Sequence, residues 1–274
     1  MNIRVVREAG GIGDIVRMLP VLRGLRERYP DARLWLFSPA SYRPLLRGAF
    51  DEYVPAPVQK RRPRDRPLDA ARWPYLDVGV PFDLSVDLYC PAFRHEHAQR
   101  GNVYLDRIDL MCRAVGVEPS VKTPRIQLGP EEVDAARRFL DSLRPANGKL
   151  IALQPFSTDP ARNWPVVNWL RLAEALEWVG HRVLILDGCK GRTNGFPQTR
   201  VIGRPLGFVA ALVAECDLAV GPDSGMLHVA AGVDTPGVGV FASQSPGVTY
   251  RYYPLHTWVL PPWDEQRHCR WPCH

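Results

Sequence analysis

No stretch of this sequence stays apolar for the roughly 18 residues that a membrane-crossing helix requires, so no spanning segment is expected. The opening Met1-Asn2-Ile3 leads straight into a strand without the layout of a signal peptide, and a cytoplasmic location is the expectation. Cysteine is sparse. Its six copies, at 90, 112, 189, 216, 269 and 273, lack the spacing of a secreted disulfide framework, which predicts reduced thiols. The dinucleotide fingerprint G-x-G-x-x-G is missing after the first strand, and no acidic residue follows about twenty positions on at the end of a second strand. That disfavours a nicotinamide enzyme. Arg94-His-Glu-His97 holds two histidines at i, i+2, which do not share a helix face, and reads as a surface turn rather than a metal site.

What is present describes a globular α/β protein. The 274 residues are 46% hydrophobic and 23% charged, enough for two ordinary domains with buried cores. The formal net charge of +6 comes mainly from arginine and points to an anionic partner: a phosphorylated glycolipid, a membrane surface touched peripherally, or nucleic acid. Part of the excess is local. Lys60-Arg-Arg-Pro-Arg-Asp-Arg66 sets five cations against one aspartate, and it reads either as a solvated loop or as a surface facing an acceptor or membrane.

The order of elements is legible from periodicity. Strands are expected at Ile3 to Val6, Arg33 to Phe37, around Tyr53, and over Phe82 to Leu88. Asp14 opens a helix that carries apolar residues at Ile15, Leu19, Leu22, Leu25 and Tyr29, with a kink at Pro20. Helices follow at Tyr104 to Val115 and Pro130 to Leu143. Arg144-Pro-Ala-Asn-Gly148 has linker composition, so the expected domains are 1–146 and 147–274. The second half repeats the alternation, with strands at Leu150 to Leu153, Val183 to Leu186 and Leu218 to Gly221, and helices at Val166 to Val179 and Gly207 to Glu215. Such alternation predicts two doubly wound parallel sheets, with a ligand cleft at the carboxyl ends of their strands.

Three stretches carry chemistry. The first is Gly11-Ile-Gly13-Asp14, where Asp14 reads as a helix cap or as a proton acceptor. The second is Gln154-Pro-Phe-Ser-Thr-Asp-Pro-Ala-Arg-Asn-Trp-Pro165, in which Ser157, Thr158 and Arg162 offer hydroxyls and a cation to a phosphate, or Arg162 simply pairs with a carboxylate. The third is Asp223-Ser-Gly-Met-Leu-His228. Ser224 and Gly225 stand at a helix N-terminus suited to an anion, with Gly225 permitting close approach. Asp223 would repel a phosphate and fits a cap or an acceptor for sugar hydroxyls. His228 either faces the ligand or is a buried histidine with a satisfied hydrogen bond.

In this order and spacing the three stretches resemble the heptosyltransferase-like glycosyltransferases of family 9, over a span from about Ile3 to about Tyr253. The resemblance implies the GT-B fold: two Rossmann-like domains facing each other across a cleft, the acceptor side first and the nucleotide-sugar side second. It implies an inverting, metal-independent transfer that needs no cofactor. The sugar, heptose from ADP-heptose being one option, would pass from a nucleotide-diphosphate donor to a hydroxyl on a glycolipid core, a protein or a modified nucleic acid. Asp14 matches the family's base and Asp223 its donor-sugar contact. Arg162 stands where relatives usually carry lysine, ahead of the Trp164-Pro165 pair. Relatives also hold the nucleoside with an acidic residue after the second strand of the donor domain, where this chain offers only Asp187. An epimerase or hydrolase on the same scaffold, and a binding protein without turnover, remain open. The tail His268-Cys-Arg-Trp-Pro-Cys-His274 makes Cys269 and Cys273 weak metal candidates, since C-x3-C needs further ligands from elsewhere.

Overall fold

The computed structural model describes residues 1–57, 76–88, 105–188, 191–242 and 245–260. The chain divides into two compact units, one of Met1–Gln127 with Gly247–Thr249, the other of Leu128–Pro246 with Tyr250–His274. The segment 144–148, of linker composition, therefore lies within the second unit.

The first unit contains β1 (Asn2–Val6), α1 (Ile12–Arg17), α2 (Leu19–Arg28), β2 (Arg33–Ser38), β3 (Glu52–Pro55), β4 (Leu84–Asp87) and α3 (Arg107–Val115). Its sheet runs β3-β2-β1-β4, and every pairing is parallel. Leu34, Leu36 and Phe37 of β2 and Val5 and Val6 of β1 are buried, as a sheet covered on both faces demands. The single kinked helix expected from Asp14 is instead two helices. The first starts at Ile12, so Asp14 is its third residue, within the first turn, and the break falls at Met18, whose N–H turns back to Ile15. Pro20 then stands in the first turn of α2, where a missing N–H leaves no bond unmade. The apolar stripe survives the break, because Ile15, Leu19, Leu22 and Leu25 are all buried.

The second unit contains α4 (Pro130–Leu140), β5 (Leu150–Leu153), α5 (Val166–Trp178), β6 (Arg182–Asp187), β7 (Thr199–Ile202), α6 (Leu206–Ala214), β8 (Leu218–Pro222), α7 (Gly225–Gly232), β9 (Gly237–Val240) and β10 (His256–Val259). The sheet order is β10-β9-β8-β5-β6-β7, parallel throughout. All four residues of β5 are buried. Ile151 and Leu153 pack with Val183 and Ile185 against Trp169 and Ala173 of α5, and successive side chains point to opposite faces, so Leu150 and Ala152 are covered from the other side. Trp169 is fully buried, and its truncation to alanine costs about 3–5 kcal/mol. Helix α4 belongs here, with Phe139 edge-on to Phe208 of α6 at 5.8 Å. Arg144 is tied down as well: with Arg137 it pairs to Glu215, at 2.6 and 2.9 Å.

Periodicity missed β7 and β10. Each has four residues at or near an edge of the sheet, too few to show an alternation. The approach of β10 to β9 depends on Gly237, because a Cβ there would lie 2.7 Å from the ring of His256.

Candidate functional site

The strand order decides where side chains can gather. In the second sheet the chain leaves β5 toward β6 and β7, then returns to place β8 on the opposite flank of β5. The loops after β5 and β8 therefore part company at the carboxyl edge, and this switch point is where open parallel sheets take their ligands. The loops are joined there by a hydrogen bond between Ser224 Oγ and Gln154 Oε1. The first sheet repeats the device, since β1 lies between β2 and β4, and Arg7 beyond β1 donates to the carbonyl of Leu88 beyond β4.

Three sequence candidates meet at the second switch point. Asp223 is buried at the end of β8; its Oδ1 accepts from the Tyr250 hydroxyl at 2.8 Å, and its Oδ2 lies 3.4 Å from Arg162 Nη1. Ser224 is the N-cap of α7 but its side chain does not cap the helix. The carboxylate of Asp223 is likewise spent on Tyr250 and Arg162, so the helix-cap reading of Asp223 falls away. Arg162 closes a short 3-10 turn, Pro160–Arg162, begun by Asp159, whose carboxylate accepts from the Ala161 N–H at 3.0 Å. The guanidinium touches Asp223 O at 3.3 Å and Asp159 Oδ2 at 3.4 Å. These contacts are longer than the ~2.7–2.9 Å of a strong charge-assisted bond. The cation is loosely held, and its Nη2 makes no hydrogen bond to a described residue.

The other candidates are placed differently. Ser157 is buried, and its N–H donates to Asn163 Oδ1 at 2.6 Å while its Oγ accepts from the Asp159 N–H at 3.2 Å. Its hydroxyl shapes the turn, whereas Thr158 is exposed. His228 is buried within a cluster of aromatic rings. It is 3% exposed, stacked on Tyr250 at 4.4 Å, with its Nδ1 bonded to the Tyr253 hydroxyl. Arg192 was not anticipated: it pairs with Asp187 Oδ1 at 2.6 Å, lies over the Phe156 ring at 5.0 Å and reaches Ser157 O at 3.3 Å. Only its position five residues after Asp187 could have pointed to it.

In the first unit, Asp14 sits in a nest of arginines. Its Oδ1 is 2.7 Å from Arg17, 3.3 Å from Arg107 and 3.5 Å from Arg7, and its Oδ2 accepts from the Gly11 N–H at 3.0 Å. Capping and ion pairing thus coexist. Arg7 and Arg17 are almost wholly buried, with Arg17 Nη1 unpartnered among the described residues. Burial alone would raise the pKa of Asp14, but Arg17, Arg7, Arg107 and the Gly11 N–H outweigh it and hold the group far below the ordinary carboxylate range. The glycines singled out by motif were Gly11 and Gly13. The one the loop cannot replace is Gly10, at φ +116°, where a Cβ would come within 2.8 Å of both Arg7 and the Asp14 carboxylate.

Comparison with known proteins gives a family model, glycosyltransferase family 9 (heptosyltransferase), that matches residues 88–271, about two thirds of the chain. The chain belongs to glycosyltransferase family 9. Among curated relatives of this family-9 enzyme, lipopolysaccharide heptosyltransferase 2 of Salmonella typhimurium strain LT2 is 24% identical over 87% of this chain and 82% of its own. The fold matches a family 9 glycosyltransferase from Veillonella parvula DSM 2008 at TM-score 0.77 and 17% identity, over 95% of this chain and 86% of that one. It also matches the E. coli protein described as ADP-heptose lipopolysaccharide heptosyltransferase II, at TM-score 0.67 and 22% identity over 94% and 90% of the two chains. The two parallel-sheet units are accordingly those of the GT-B class. Of the remaining candidate residues of this glycosyltransferase, Lys60 to Arg66, Cys269 and Cys273 lie outside the described residues. Among the described residues, no group of three or more His, Cys, Asp or Glu could hold a metal, and no helix is long and apolar enough to cross a membrane.

Proposed function

We propose that this enzyme transfers a sugar, with inversion and without metal or other cofactor, from a nucleoside-diphosphate sugar to a hydroxyl of an anionic acceptor in the cytoplasm. The observation that carries the reading is the pairing of Arg162 with Asp223 at the β5/β8 switch point, beside the start of α7. A cation with an unused donor edge and the amide end of a helix suit the diphosphate, and an adjacent carboxylate suits sugar hydroxyls. Heptose from an ADP-linked donor is favoured by the E. coli relative described as using ADP-heptose. The name of the Salmonella relative favours a lipopolysaccharide-type glycolipid acceptor, and the net charge of +6 suits such a partner at a membrane surface.

In the reaction the acceptor oxygen bonds to the anomeric carbon, the bond from that carbon to the diphosphate breaks, and the acceptor's proton passes to Asp14. Three arginines make Asp14 a weak base. Proton transfer therefore comes late, once the acceptor oxygen carries positive charge from its new bond. Arg162 and the α7 amides take up the charge on the departing diphosphate. A thermal-shift panel of nucleotide sugars, run with and without EDTA, tests the reading. A shift specific to a nucleoside-diphosphate sugar and indifferent to EDTA supports it, and no shift with any of them removes it.

A further inference from the structure

Tyr250 lies 27 residues beyond Asp223, outside all three motifs, yet its hydroxyl ends on the Asp223 carboxylate. The side chain is 1% exposed, and the same hydroxyl comes within 3.2 Å of the carbonyl of Ser224, the residue that begins α7. The phenol has one proton to give. The shorter contact and the charged acceptor direct it to Asp223 Oδ1. Behind it the ring is clamped: His228 stacks on one face at 4.4 Å, its Nδ1 is bonded to the Tyr253 hydroxyl, and Phe241 and Tyr253 stand edge-on at 5.3 Å each. The hydroxyl therefore has a fixed position, set by rigid packing.

We propose that Tyr250 is the positioning residue for Asp223, holding its carboxylate off Arg162 and oriented toward the sugar of the donor, with His228 and Tyr253 fixing Tyr250 in turn. The geometry explains why Asp223 and Arg162 stay 3.4 Å apart rather than collapsing into a tight bidentate pair. A close pair would consume both the sugar's acceptor and the diphosphate's cation. It also gives the buried His228 a part in the site without contact to any ligand. The inference rests on the donor reading above, in which Asp223 meets the sugar and Arg162 the diphosphate.

The test separates sugar from diphosphate by calorimetric titration with ADP and ADP-heptose. Wild type should bind the sugar nucleotide more tightly than ADP. Tyr250→Phe keeps the ring and removes only the oxygen, and it should lose about tenfold in affinity for ADP-heptose while its affinity for ADP changes little. Asp223→Asn should show the same selective loss, and adding Tyr250→Phe to it should cost nothing more, because one acts through the other. Tyr253→Phe should give a smaller loss in the same direction. Equal losses for both ligands, or additive losses in the double variant, would overturn the inference and leave Tyr250 a core residue. If wild type binds ADP-heptose no better than ADP, the donor reading fails first and this inference with it.

Discussion

Arg17 Nη2 stands 2.7 Å from Asp14 Oδ1, one helical turn on, and 96% of the Arg17 side chain is shielded from solvent. Read as a cap alone, Asp14 could become asparagine at no cost to the fold, since Asn caps about as well as Asp. With three arginines to balance, it cannot. Asp14→Asn should lower sugar transfer by a factor on the order of 10²–10⁴, the usual worth of a general base. It should also lower the melting temperature, by the lower end of the ~3–5 kcal/mol lost when one partner of a buried pair is removed. Donor affinity, which the proposed function assigns to Arg162 and Asp223 of the second unit, should not change. Turnover and melting curves of this variant decide the matter, and near-normal turnover ends the case for Asp14 as base.

The same nest predicts a pH profile. Asp14 is held well below the ordinary carboxylate range, so it stays ionised across neutral and mildly acid pH. Any acid limb of the transfer rate between about pH 5 and 8 must then belong to another group. A folded-state pKa below the unfolded one contributes stability that is complete above the unfolded value near 4 and is lost as pH falls further. Melting temperatures of wild type should drop steeply below about pH 4. Those of Asp14→Asn should drop less. Parallel curves for the two proteins would contradict the ion-pair account.

His256 should add to the loss of stability as pH falls, at a higher pH than Asp14. It is buried, with Nε2 on the Thr235 carbonyl at 3.2 Å and Nδ1 unpartnered among the described residues, and burial pushes its pKa down to about 4. The neutral ring is the folded form. Its contribution is complete above the ordinary value near 6.5 and disappears as pH falls toward 4, up to about 3 kcal/mol in all. Titration of the ring by NMR, with melts of His256→Gln over the same window, checks this. A ring that titrates near 6.5 refutes it.

Arg162→Ala removes a cation that, among the described residues at the β5/β8 switch point, keeps a free donor edge. A charge-assisted contact is worth roughly 1.5–3 kcal/mol, so donor affinity should fall at least about tenfold. The fold should tolerate the change, because its present contacts are long. Unchanged donor affinity in calorimetry would remove the diphosphate role.

The elements most legible in the sequence are those with several buried residues at a clear period, such as β5, α5 and the stripe from Ile15 to Leu25. What stayed hidden depends on contacts between distant positions. Arg107 lies 93 residues from Asp14, and Tyr250 lies 27 from Asp223; neither falls at a motif spacing. Arg17, at i+3 from Asp14, is within reach of helix periodicity, but spacing alone does not separate an ion pair from a helix cap. The glycine loop misled in a similar way. Pattern marks Gly11 and Gly13, while the backbone angle and the crowding that require glycine belong to Gly10, which only coordinates show.

The strand order also has a kinetic consequence. Leu150 at the start of β5 bonds to Asp217, just ahead of β8 and 67 residues later, whereas its partner in β6, Arg182, lies much nearer in the chain. Pairings between such distant segments close late, because the entropy of the intervening loop must be overcome first. The turn carrying Arg162 and the turn carrying Asp223 are on opposite sides of that closure. On the proposed donor reading, a nascent or partly folded second unit presents half a site, and the donor is held by both halves only after β8 docks. Binding of a nucleotide sugar is in this way a report on the last long-range pairing of the sheet, and saturating donor should protect the amides of β5 and β8 from exchange more than those of β7 or β10.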